Sequence, residues 1–586
     1  MVKKIICIIC LLSAVRFSNG QLKEVSLFPA DDALFNSNDK NSGAIQWINV
    51  SGAAFKKAYR VTSNAAGDNR ELNLKYAINE PVKKGDVMLL SFYSRTISSM
   101  RETGLAFFEI GLDRFVNGKY AWPPVMERGM SFGRDWVLTQ IPFMAAMDVA
   151  VGDLAFILKT GKVNQVFEIG GFSLVNYKQG KTVNELPRST VHYDGDAANA
   201  SWRKPAEERI EKFRKANIAI KVVDKNGKPV PGAAVSVQMK QSAFAWGTAT
   251  ASQMILDTTN PNAKIYRDTL LRYFNKVVLE NEMKAKNWHR FNTQQTQAGV
   301  DWFKSHNISV RGHVMVWPSW QHSPHLVKYQ NDTAALRFAV LKIIEGQTTL
   351  MKGNFSEWDV VNEPYAHHEI MDTLGGKPVM LQWFNAAHKN APGVQLFLND
   401  YTMFHEKDRG SEAFFNNVKY LLDNKAPIHA IGEQAHIGGT PPSINYVLER
   451  LDRFAAFGLP IQVSEFDITS DDDDFKARYM RDFLTALFSH PATNGFVQWG
   501  FWEGMHWMPA GAMWDKNWNL RPHGKVFTDL VTKTWSTNVN GITKKNGLYD
   551  VRGFNGEYEV TVTAKGKTIS QRFVLDSKGK LITVKL

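Results

Sequence analysis

The chain has 586 residues, of which 44% are hydrophobic and 12% are aromatic, so it can fill several apolar cores and is not globally disordered. Its formal charge is +13, yet no run of Lys or Arg and no basic helix indicates nucleic-acid binding. The basic excess is typical of a solvated surface, and attraction to acidic polysaccharide is a second interpretation.

The first 20 residues predict a secretory signal peptide. Lys3 and Lys4 precede a short apolar stretch, and small residues stand where cleavage between Gly20 and Gln21 requires them. We therefore expect a secreted, periplasmic or cell-envelope protein that does not span a membrane. Both cysteines lie in this segment, so the mature chain would contain neither a disulfide nor a thiolate metal site.

Short apolar runs separated by turn residues predict a β-sandwich over residues 21–180. Two of these runs are 87–94 and 153–158, and turns are predicted at 117–118 and 161–162. Residues 181–217 are polar and then helical in pattern, which predicts a linker and a lead-in helix.

Two further β-segments flank the middle of the chain. Residues 218–240 have the pattern of a β-hairpin, with a turn at 224–229. Residues 541–586 carry three similar apolar runs. Because the two pieces flank one large region, we interpret them as parts of a small β-module that this region interrupts.

Residues 241–540 repeat eight times a pattern of an apolar run followed by a segment of helical length. The runs are 244–248, 276–279, 308–312, 358–361, 394–398, 429–432, 461–463 and 495–498. The helices predicted between them include 333–351, 409–424, 443–457 and 475–489. Alternating strands and helices imply a parallel sheet, and eight such units favour a closed (β/α)8 barrel over an open sheet.

Polar or aromatic residues follow most of these runs, at the end of the barrel where such folds place active sites. Two of them are glutamates, Glu363 after the fourth run and Glu465 after the seventh. Two carboxyl groups at one barrel mouth are what cleavage of a glycosidic bond needs, one to protonate the leaving oxygen and one to meet the sugar carbon. Alone, Glu363 would be explained better as a buried carboxylate in an ion pair; together with Glu465 it favours catalysis.

Six ordered motifs over about 300 residues make this region resemble glycoside hydrolase family 10, the endo-β-1,4-xylanases. The motifs are Glu-Asn-Glu-Met-Lys at 280–284, Gly-His-Val-Met-Val-Trp at 312–317, Trp-Asp-Val-Val-Asn-Glu-Pro at 358–364, Asn-Asp-Tyr at 399–401, Gly-Glu-Gln-Ala-His at 432–436 and Val-Ser-Glu-Phe-Asp-Ile at 463–468. The resemblance implies an α/β protein with a TIM barrel, no cofactor and no metal. Its substrate would be xylan or xylo-oligosaccharides, and the protein would be a monomer.

The resemblance also implies a role for each matching residue. Glu363 matches the acid/base and Glu465 the nucleophile of a retaining double displacement. His436 and Asp467 match the pair that orients the nucleophile. The substrate-binding residues implied are Glu280, Asn281, Lys284, His313, Trp317, Asn362, Tyr401, Gln434, Trp499 and Trp507. Ala285 and Pro318 depart from the common family pattern, which leaves the outer-subsite preference open.

Several alternatives remain at this point. The chain could be a related barrel hydrolase acting on another β-glycan, or a xylan-binding protein without turnover, although no catalytic position is lost. Packing alone could explain Trp317, and His313 and His436 could be ordinary core histidines.

The β-sandwich weakly resembles the jelly-roll carbohydrate-binding modules that precede such xylanases, and a spacer domain is the alternative. Its candidates for stacking on sugars are Trp47, Tyr93, Tyr120, Trp122 and Trp136. The acidic run 471–474 predicts a helix cap in preference to a calcium site.

Overall fold

The computed structural model describes residues 24–28, 35–39, 42–64, 72–99, 106–132, 134–160, 164–190, 192–287, 293–404, 409–437, 441–470 and 472–586. The predicted signal peptide at 1–20, the predicted turn at 161–162 and Asp471 lie outside these residues. The chain divides into two compact units between Thr190 and Val191. Over the described ranges, every helix is too short or too polar to cross a bilayer.

The first unit consists of two antiparallel sheets. Its strands are β1 Val25–Ser26, β2 Asn36–Asp39, β3 Gly43–Asn49, β4 Lys57–Asn64, β5 Leu72–Ile78, β6 Val87–Ser99, β7 Ala106–Val116, β8 Lys119–Phe132, β9 Val137–Met144, β10 Leu154–Lys159 and β11 Asn164–Asn176, followed by a 3-10 turn at Val183–Glu185. One sheet has the order β3-β4-β11-β6-β9, with β1 beside β11, and the other has the order β2-β5-β10-β7-β8.

The two sheets enclose one apolar core, to which both contribute buried aromatic rings such as Phe92 and Phe156. Alternation of buried and exposed residues along the strands explains this packing, because successive side chains point to opposite faces of a sheet. The predicted turn at 117–118 joins β7 to β8, and both of its residues have positive φ, as the tight hairpin turn rich in Asn-Gly requires.

The second unit contains sixteen strands and eleven α-helices among its described residues. The strands are β12 Lys215–Val223, β13 Ala234–Ser242, β14 Ala245–Thr250, β15 Lys276–Leu279, β16 Ser309–Gly312, β17 Glu357–Asn362, β18 Gln395–Asp400, β19 Ala430–Glu433, β20 His436–Ile437, β21 Ile461–Ile468, β22 Thr493–Gln498, β23 Asn538–Ile542, β24 Leu548–Phe554, β25 Gly556–Ala564, β26 Lys567–Leu575 and β27 Lys580–Lys585. The helices are α1 Arg203–Phe213, α2 Ser252–Leu256, α3 Pro261–Tyr273, α4 Thr293–Ser305, α5 Thr333–Leu350, α6 Glu369–Thr373, α7 Val379–Asn390, α8 Arg409–Asp423, α9 Ile444–Ala455, α10 Asp473–Ser489 and α11 Pro522–Asp529.

Eight parallel strands, β14 to β19 with β21 and β22, close a barrel in which β22 pairs with β14. The prediction of a (β/α)8 barrel is therefore confirmed, and the four predicted helices correspond to α5, α8, α9 and α10. β17 and β21 are buried along their whole length, because one side of each strand faces the barrel interior and the other faces the helices. Asp472 caps α10 by accepting the Phe475 N–H at 3.0 Å, as predicted for the acidic run.

The barrel interior holds a charged network centred on Arg311, which is completely buried. Its guanidinium contacts Glu357 and Asp359 on β17, and it donates to Gln462 on β21 at 2.9 Å. Lys276 on β15 forms a further ion pair with Glu357. Each charge in this network has a partner of opposite sign or an amide, as burial requires.

Strands β12 and β13 join the C-terminal strands in a module of two sheets. One sheet has the order β24-β12-β27 and the other has the order β23-β13-β25-β26, and their apolar faces share one core. The predicted hairpin at 218–240 is wrong, because β12 and β13 lie in different sheets. The predicted turn at 224–229 forms, with an antiparallel bridge between Val223 and Pro229. Beyond it, each strand buries alternate residues in the core between the sheets and pairs with the C-terminal segment instead.

Candidate active site

The residues singled out from the sequence lie mainly at the C-terminal ends of the barrel strands. Glu363 directly follows β17, and Glu465 lies in the C-terminal half of β21. Both side chains are buried, with 9% of Glu363 and 4% of Glu465 exposed. The two glutamates therefore share the barrel end that the strand pattern predicts.

Glu363 occupies a strained backbone position. Its φ is +55°, in the left-handed region that residues other than glycine rarely adopt, and its N–H donates to the Asn399 carbonyl at 2.9 Å. One carboxylate oxygen, Oε1, accepts hydrogen bonds from Gln434 Nε2 at 2.8 Å and from Asn362 Nδ2 at 3.1 Å. The other oxygen, Oε2, lies 3.4 Å from His367 Nε2.

Glu465 faces a different set of partners. Asn399 Nδ2 donates to its Oε1 at 2.8 Å. His313 Nδ1 lies 3.8 Å from the same oxygen, and His436 Nε2 lies 3.6 Å from Oε2. The Glu465 N–H donates to the Gln434 carbonyl at 3.1 Å, which fixes the backbone beneath the carboxylate.

Two side-chain amides connect the two carboxylates. Asn399 Nδ2 donates both to Glu465 Oε1 and to Asn362 Oδ1, each at 2.8 Å, and Asn362 in turn donates to Glu363. Ser464 Oγ donates to Asn399 Oδ1 at 2.7 Å, which sets the orientation of the Asn399 amide. The two glutamates are thus held in one hydrogen-bonded frame.

Asn399 had no assigned role from the sequence, although it lies in one of the quoted motifs. The signal that points to it is Gly432 on the neighbouring strand β19, which pairs with Asn399 in register. A Cβ at Gly432 would lie 2.2 Å from Asn399 Oδ1, so glycine at this position makes room for the amide.

His436 and Asp467 come together beside Glu465, as the resemblance implies. His436 Nδ1 lies 3.1 Å from Asp467 Oδ2, and Trp507 Nε1 donates to the same oxygen at 2.7 Å. His313 is oriented in a similar way, because its Nδ1 contacts Asp359 Oδ2 at 2.9 Å. Each imidazole therefore has a carboxylate on one nitrogen, which fixes the direction of its ring.

The remaining predicted residues form the wall of the site or lie at its edge. Lys284 Nζ is 5.7 Å from the centre of the Trp317 ring and 6.0 Å from that of Trp499, and it donates to Asn281 Oδ1 at 3.2 Å. Trp499 packs edge-on against His313 at 5.2 Å. Glu280 is half-buried beside Asn281. Tyr401 follows β18 and is half-buried, and its N–H donates to Asp400 at 2.8 Å.

The two glutamates have pKa values shifted in opposite directions. Burial raises the pKa of Glu363, and the charge of Glu465 raises it further. Burial alone would also raise the pKa of Glu465, but His313, His436 and Lys284 outweigh it and lower this pKa to about 2. Although burial opposes its charge, His436 has its pKa raised to about 10 by Asp467 and Glu465. One carboxyl group therefore retains its proton to higher pH while the other stays ionised, as acid and nucleophile require.

Two histidines at this site were not assigned a role from the sequence. His367 contacts Glu363, and His322 stacks on Trp317 with ring centres 3.8 Å apart and an interplanar angle of 10°. The sequence signal for His367 is its spacing, because it follows Glu363 by four residues. In the structure these residues form a turn, in which the His367 N–H donates to the Glu363 carbonyl at 3.0 Å.

Comparison with known proteins gives a consistent result. The profile of glycosyl hydrolase family 10 matches residues 235–529. The anti-sigma-I factor RsgI6 of Acetivibrio thermocellus is 31% identical over 393 residues, which cover 65% of this chain and 49% of that protein. Endo-1,4-beta-xylanase 1 of Arabidopsis thaliana is 28% identical over 65% of this chain and 40% of its own length. The chain thus spans about half the length of these curated relatives.

Among solved structures, xylanase 10B from Thermotoga petrophila RKU-1 in complex with xylobiose matches with a TM-score of 0.45 and 22% identity, over 50% of this chain and 95% of that one. The profile match covers half of the chain. It includes every residue of the site described above and no residue of the first unit. On this evidence, the chain belongs to glycosyl hydrolase family 10.

Proposed function

We propose that the chain is a retaining endo-1,4-β-xylanase that hydrolyses internal bonds of xylan. The observation that carries the proposal is the pair of buried carboxyl groups with opposite pKa shifts, joined through Asn362 and Asn399 at the mouth of the barrel. Membership of the family and its similarity to proteins named endo-1,4-beta-xylanases support xylan as the substrate class.

In the first step, protonated Glu363 gives its proton to the glycosidic oxygen as the bond between this oxygen and the sugar C1 breaks. Glu465, which is ionised, forms a bond from a carboxylate oxygen to C1, so that a glycosyl-enzyme results. In the second step, Glu363 accepts a proton from water, the water oxygen attacks C1, and the bond to Glu465 breaks. Two displacements at C1 leave its configuration unchanged.

The neighbouring groups support these roles. We propose that Asn362 also meets the 2-hydroxyl of the sugar at the cleavage point, and that His313 and Gln434 bind the same sugar. Glu280, Asn281 and Lys284 would hold the next sugar outward, with Tyr401 at the edge of the site. Trp317, Trp499 and Trp507 would pack on the C–H faces of sugars, contacts that orient a ligand.

The proposal is tested by azide rescue of two alanine variants on an aryl β-xylobioside with a good leaving group. In Glu465→Ala, activity should fall by several orders of magnitude, and azide should restore it with an α-xylobiosyl azide product. In Glu363→Ala, azide should give the β product, because it attacks the glycosyl-enzyme. Full activity of Glu465→Ala without azide, or the same anomer from both variants, would refute the assignment.

Two alternatives have distinct outcomes. If the chain is a hydrolase for another β-glycan, then rates on cellulose or mixed-linkage glucan exceed those on xylan. If it binds xylan without turnover, then binding is tight but no reducing ends form over long incubation. The lowered pKa of Glu465 beside the raised pKa of Glu363 favours turnover.

We also propose that the first unit binds glycan. Tyr120 and Trp122 lie two residues apart on β8, so they share one face of the strand, and they are 48% and 58% exposed. Tyr93 and Trp136 each pack against Phe55, and Trp47 packs on Tyr59, so these three rings are partly used for packing. Residues 21–185 should be retarded in gels that contain xylan. Unretarded migration with every soluble polysaccharide would refute the proposal.

The proposal also includes export, because xylan is a polymer that lies outside cells. We propose cleavage of the signal peptide between Gly20 and Gln21, followed by action as a monomer in the envelope or medium. N-terminal sequencing of the exported protein and its sedimentation coefficient test the two statements. A retained Met1 or a stable dimer would contradict them.

A further inference from the structure

His367 lies against the carboxyl group assigned as acid/base. Its Nε2 is 3.4 Å from Glu363 Oε2, and its side chain is 24% exposed. The other oxygen of Glu363 is already occupied by Gln434 and Asn362. His367 therefore faces the remaining oxygen, Oε2.

Packing against aromatic rings fixes the position of the His367 ring. The His322 ring meets it nearly at right angles, with centres 4.8 Å apart and an interplanar angle of 83°. His322 is itself stacked flat on Trp317, which lies 6.2 Å from His367. The His367 imidazole thus approaches Glu363 from one direction, supported by residues that follow β16.

The charges around His367 determine what it can do. Glu363 faces it directly, while Lys284 and Lys286 lie over the Trp317 ring, with Nζ atoms 5.7 Å and 5.6 Å from the ring centre. Burial lowers the pKa of His322 to about 4, and the charges of His367, Lys286 and Lys284 add to this effect. His322 is therefore neutral over the working range and contributes packing, whereas His367 is the imidazole in contact with the carboxylate.

We propose that His367 is a positioning residue for Glu363, which holds Oε2 and sets the highest pH at which Glu363 keeps its proton. The inference rests on the proposed role of Glu363. When Glu363 loses its proton in the first step, the carboxylate meets the His367 N–H, which stabilises the ionised form. His367 thus counteracts part of the burial that raises the pKa of Glu363.

The test uses His367→Leu, His367→Gln and the neighbouring control His368→Leu. His368 is half-exposed and pairs with Asp372 at 2.6 Å, so it offers the same chemical change one residue away. The readout is the pH dependence of kcat/KM on an aryl xylobioside whose leaving group needs protonation. In His367→Leu, the alkaline limb should move to higher pH by about half a unit or more. His367→Gln should recover much of kcat, since its amide can still donate to Oε2, and its alkaline limb should lie between those of His367→Leu and the parent. His368→Leu should match the parent.

A second measurement determines the pKa of Glu363 in the absence of substrate. Titration of the ¹³C-labelled glutamate carboxyl groups by NMR, with the Glu363 signal assigned from Glu363→Gln, should show a higher pKa in His367→Leu than in the parent. An unchanged pKa of Glu363 in a folded His367 variant would overturn the inference, whatever the substrate. Absence of all hydrolysis would count against the proposed function alone. If His367→Leu does not fold, the same titration of His367→Gln should show a smaller rise of the Glu363 pKa in the same direction.

Discussion

At the scale of single residues, the site depends on the amide of Asn399. It donates to Glu465 and to Asn362, and Asn362 donates to Glu363, so one side chain on β18 couples both carboxylates. The resemblance implied roles for the two glutamates, His436 and Asp467, and the structure places His436 between Glu465 and Asp467. The role of Asn399 could not be predicted. Its contact with Glu465 joins β18 to β21, which are separated by β19 in the barrel, and the sequence alone does not show how close their side chains lie.

Asn399→Asp tests this coupling. The change keeps the size of the side chain but replaces the donor with an oxygen, so a carboxylate then faces the Glu465 carboxylate. We expect kcat to fall by about 10²–10³-fold, and the acid limb of kcat/KM to move to higher pH because a second negative charge raises the pKa of Glu465.

The control is Asn424→Asp at the exposed C-terminal end of α8, which makes the same chemical change away from the strand ends. Its pH profile should equal that of the parent. An Asn399→Asp variant with the parent's kcat and acid limb would show that the amide does not hold the pair.

The opposite pKa shifts predict the pH dependence of the reaction. Glu465 must be ionised and its pKa is about 2, whereas Glu363 must be protonated and its pKa is raised. The acid limb of kcat/KM should therefore lie far below the ordinary glutamate pKa, and the alkaline limb should lie above it.

A leaving group that needs no protonation provides the control for this profile. On a dinitrophenyl xylobioside the alkaline limb should weaken or disappear, because Glu363 no longer has to supply a proton to the leaving oxygen. If the alkaline limb is the same for both leaving groups, it does not report Glu363.

At the scale of elements, the barrel was predictable because its signal is repeated. Each apolar run independently indicates a buried parallel strand, and eight such strands in alternation with helices permit few other folds. The hairpin at 218–240 had no such redundancy. Its alternation correctly predicts two strands, but the choice of partner depends on residues 538–585, which are about 300 positions away along the chain.

The buried network around Arg311 should be essential for the barrel. Arg311→Met leaves Glu357 and Asp359 without their guanidinium, and a buried charge that loses its partner costs about 3–5 kcal/mol. Arg453→Met is the matched control, because Arg453 pairs with Glu412 at the surface, where an ion pair is worth about 0–1 kcal/mol. Urea unfolding followed by fluorescence measures both. Equal costs for the two variants would contradict the role of the network.

The neighbouring strand ends of β18 and β19 carry a second buried pair, Asp400 and Glu433, whose positions are in register. Burial raises the pKa of Asp400 to about 7, above its value of about 4 in an unfolded chain. At a pH between these two pKa values, the folded state binds a proton that the unfolded state lacks. The free energy of unfolding therefore falls as the pH rises from about 4 to about 7.

Asp400→Asn should remove that slope and raise the melting temperature at pH 8, with little change at pH 4. Thermal unfolding of the parent and of Asp400→Asn between pH 4 and pH 8 measures the two melting temperatures. A variant whose melting temperature falls by the same amount at both ends would show a packing defect and would contradict the titration.

At the scale of the whole molecule, the candidate site belongs to one of the two compact units. All residues of the candidate site lie in the second unit, whose cores are formed entirely by residues after Val191. A chain of residues 191–586 should therefore fold and keep the parent's kcat/KM on soluble xylo-oligosaccharides. A large loss of kcat/KM on these short substrates in a folded truncation would contradict this division.

The most direct test of the account is the anomer that forms first. Proton NMR spectra recorded during the first minutes of xylohexaose hydrolysis distinguish α from β reducing ends before mutarotation mixes them. Two displacements through Glu465 predict that the β anomer appears first. The α anomer first would contradict the assignment of Glu465 as nucleophile, and the absence of new reducing ends would contradict the proposed activity.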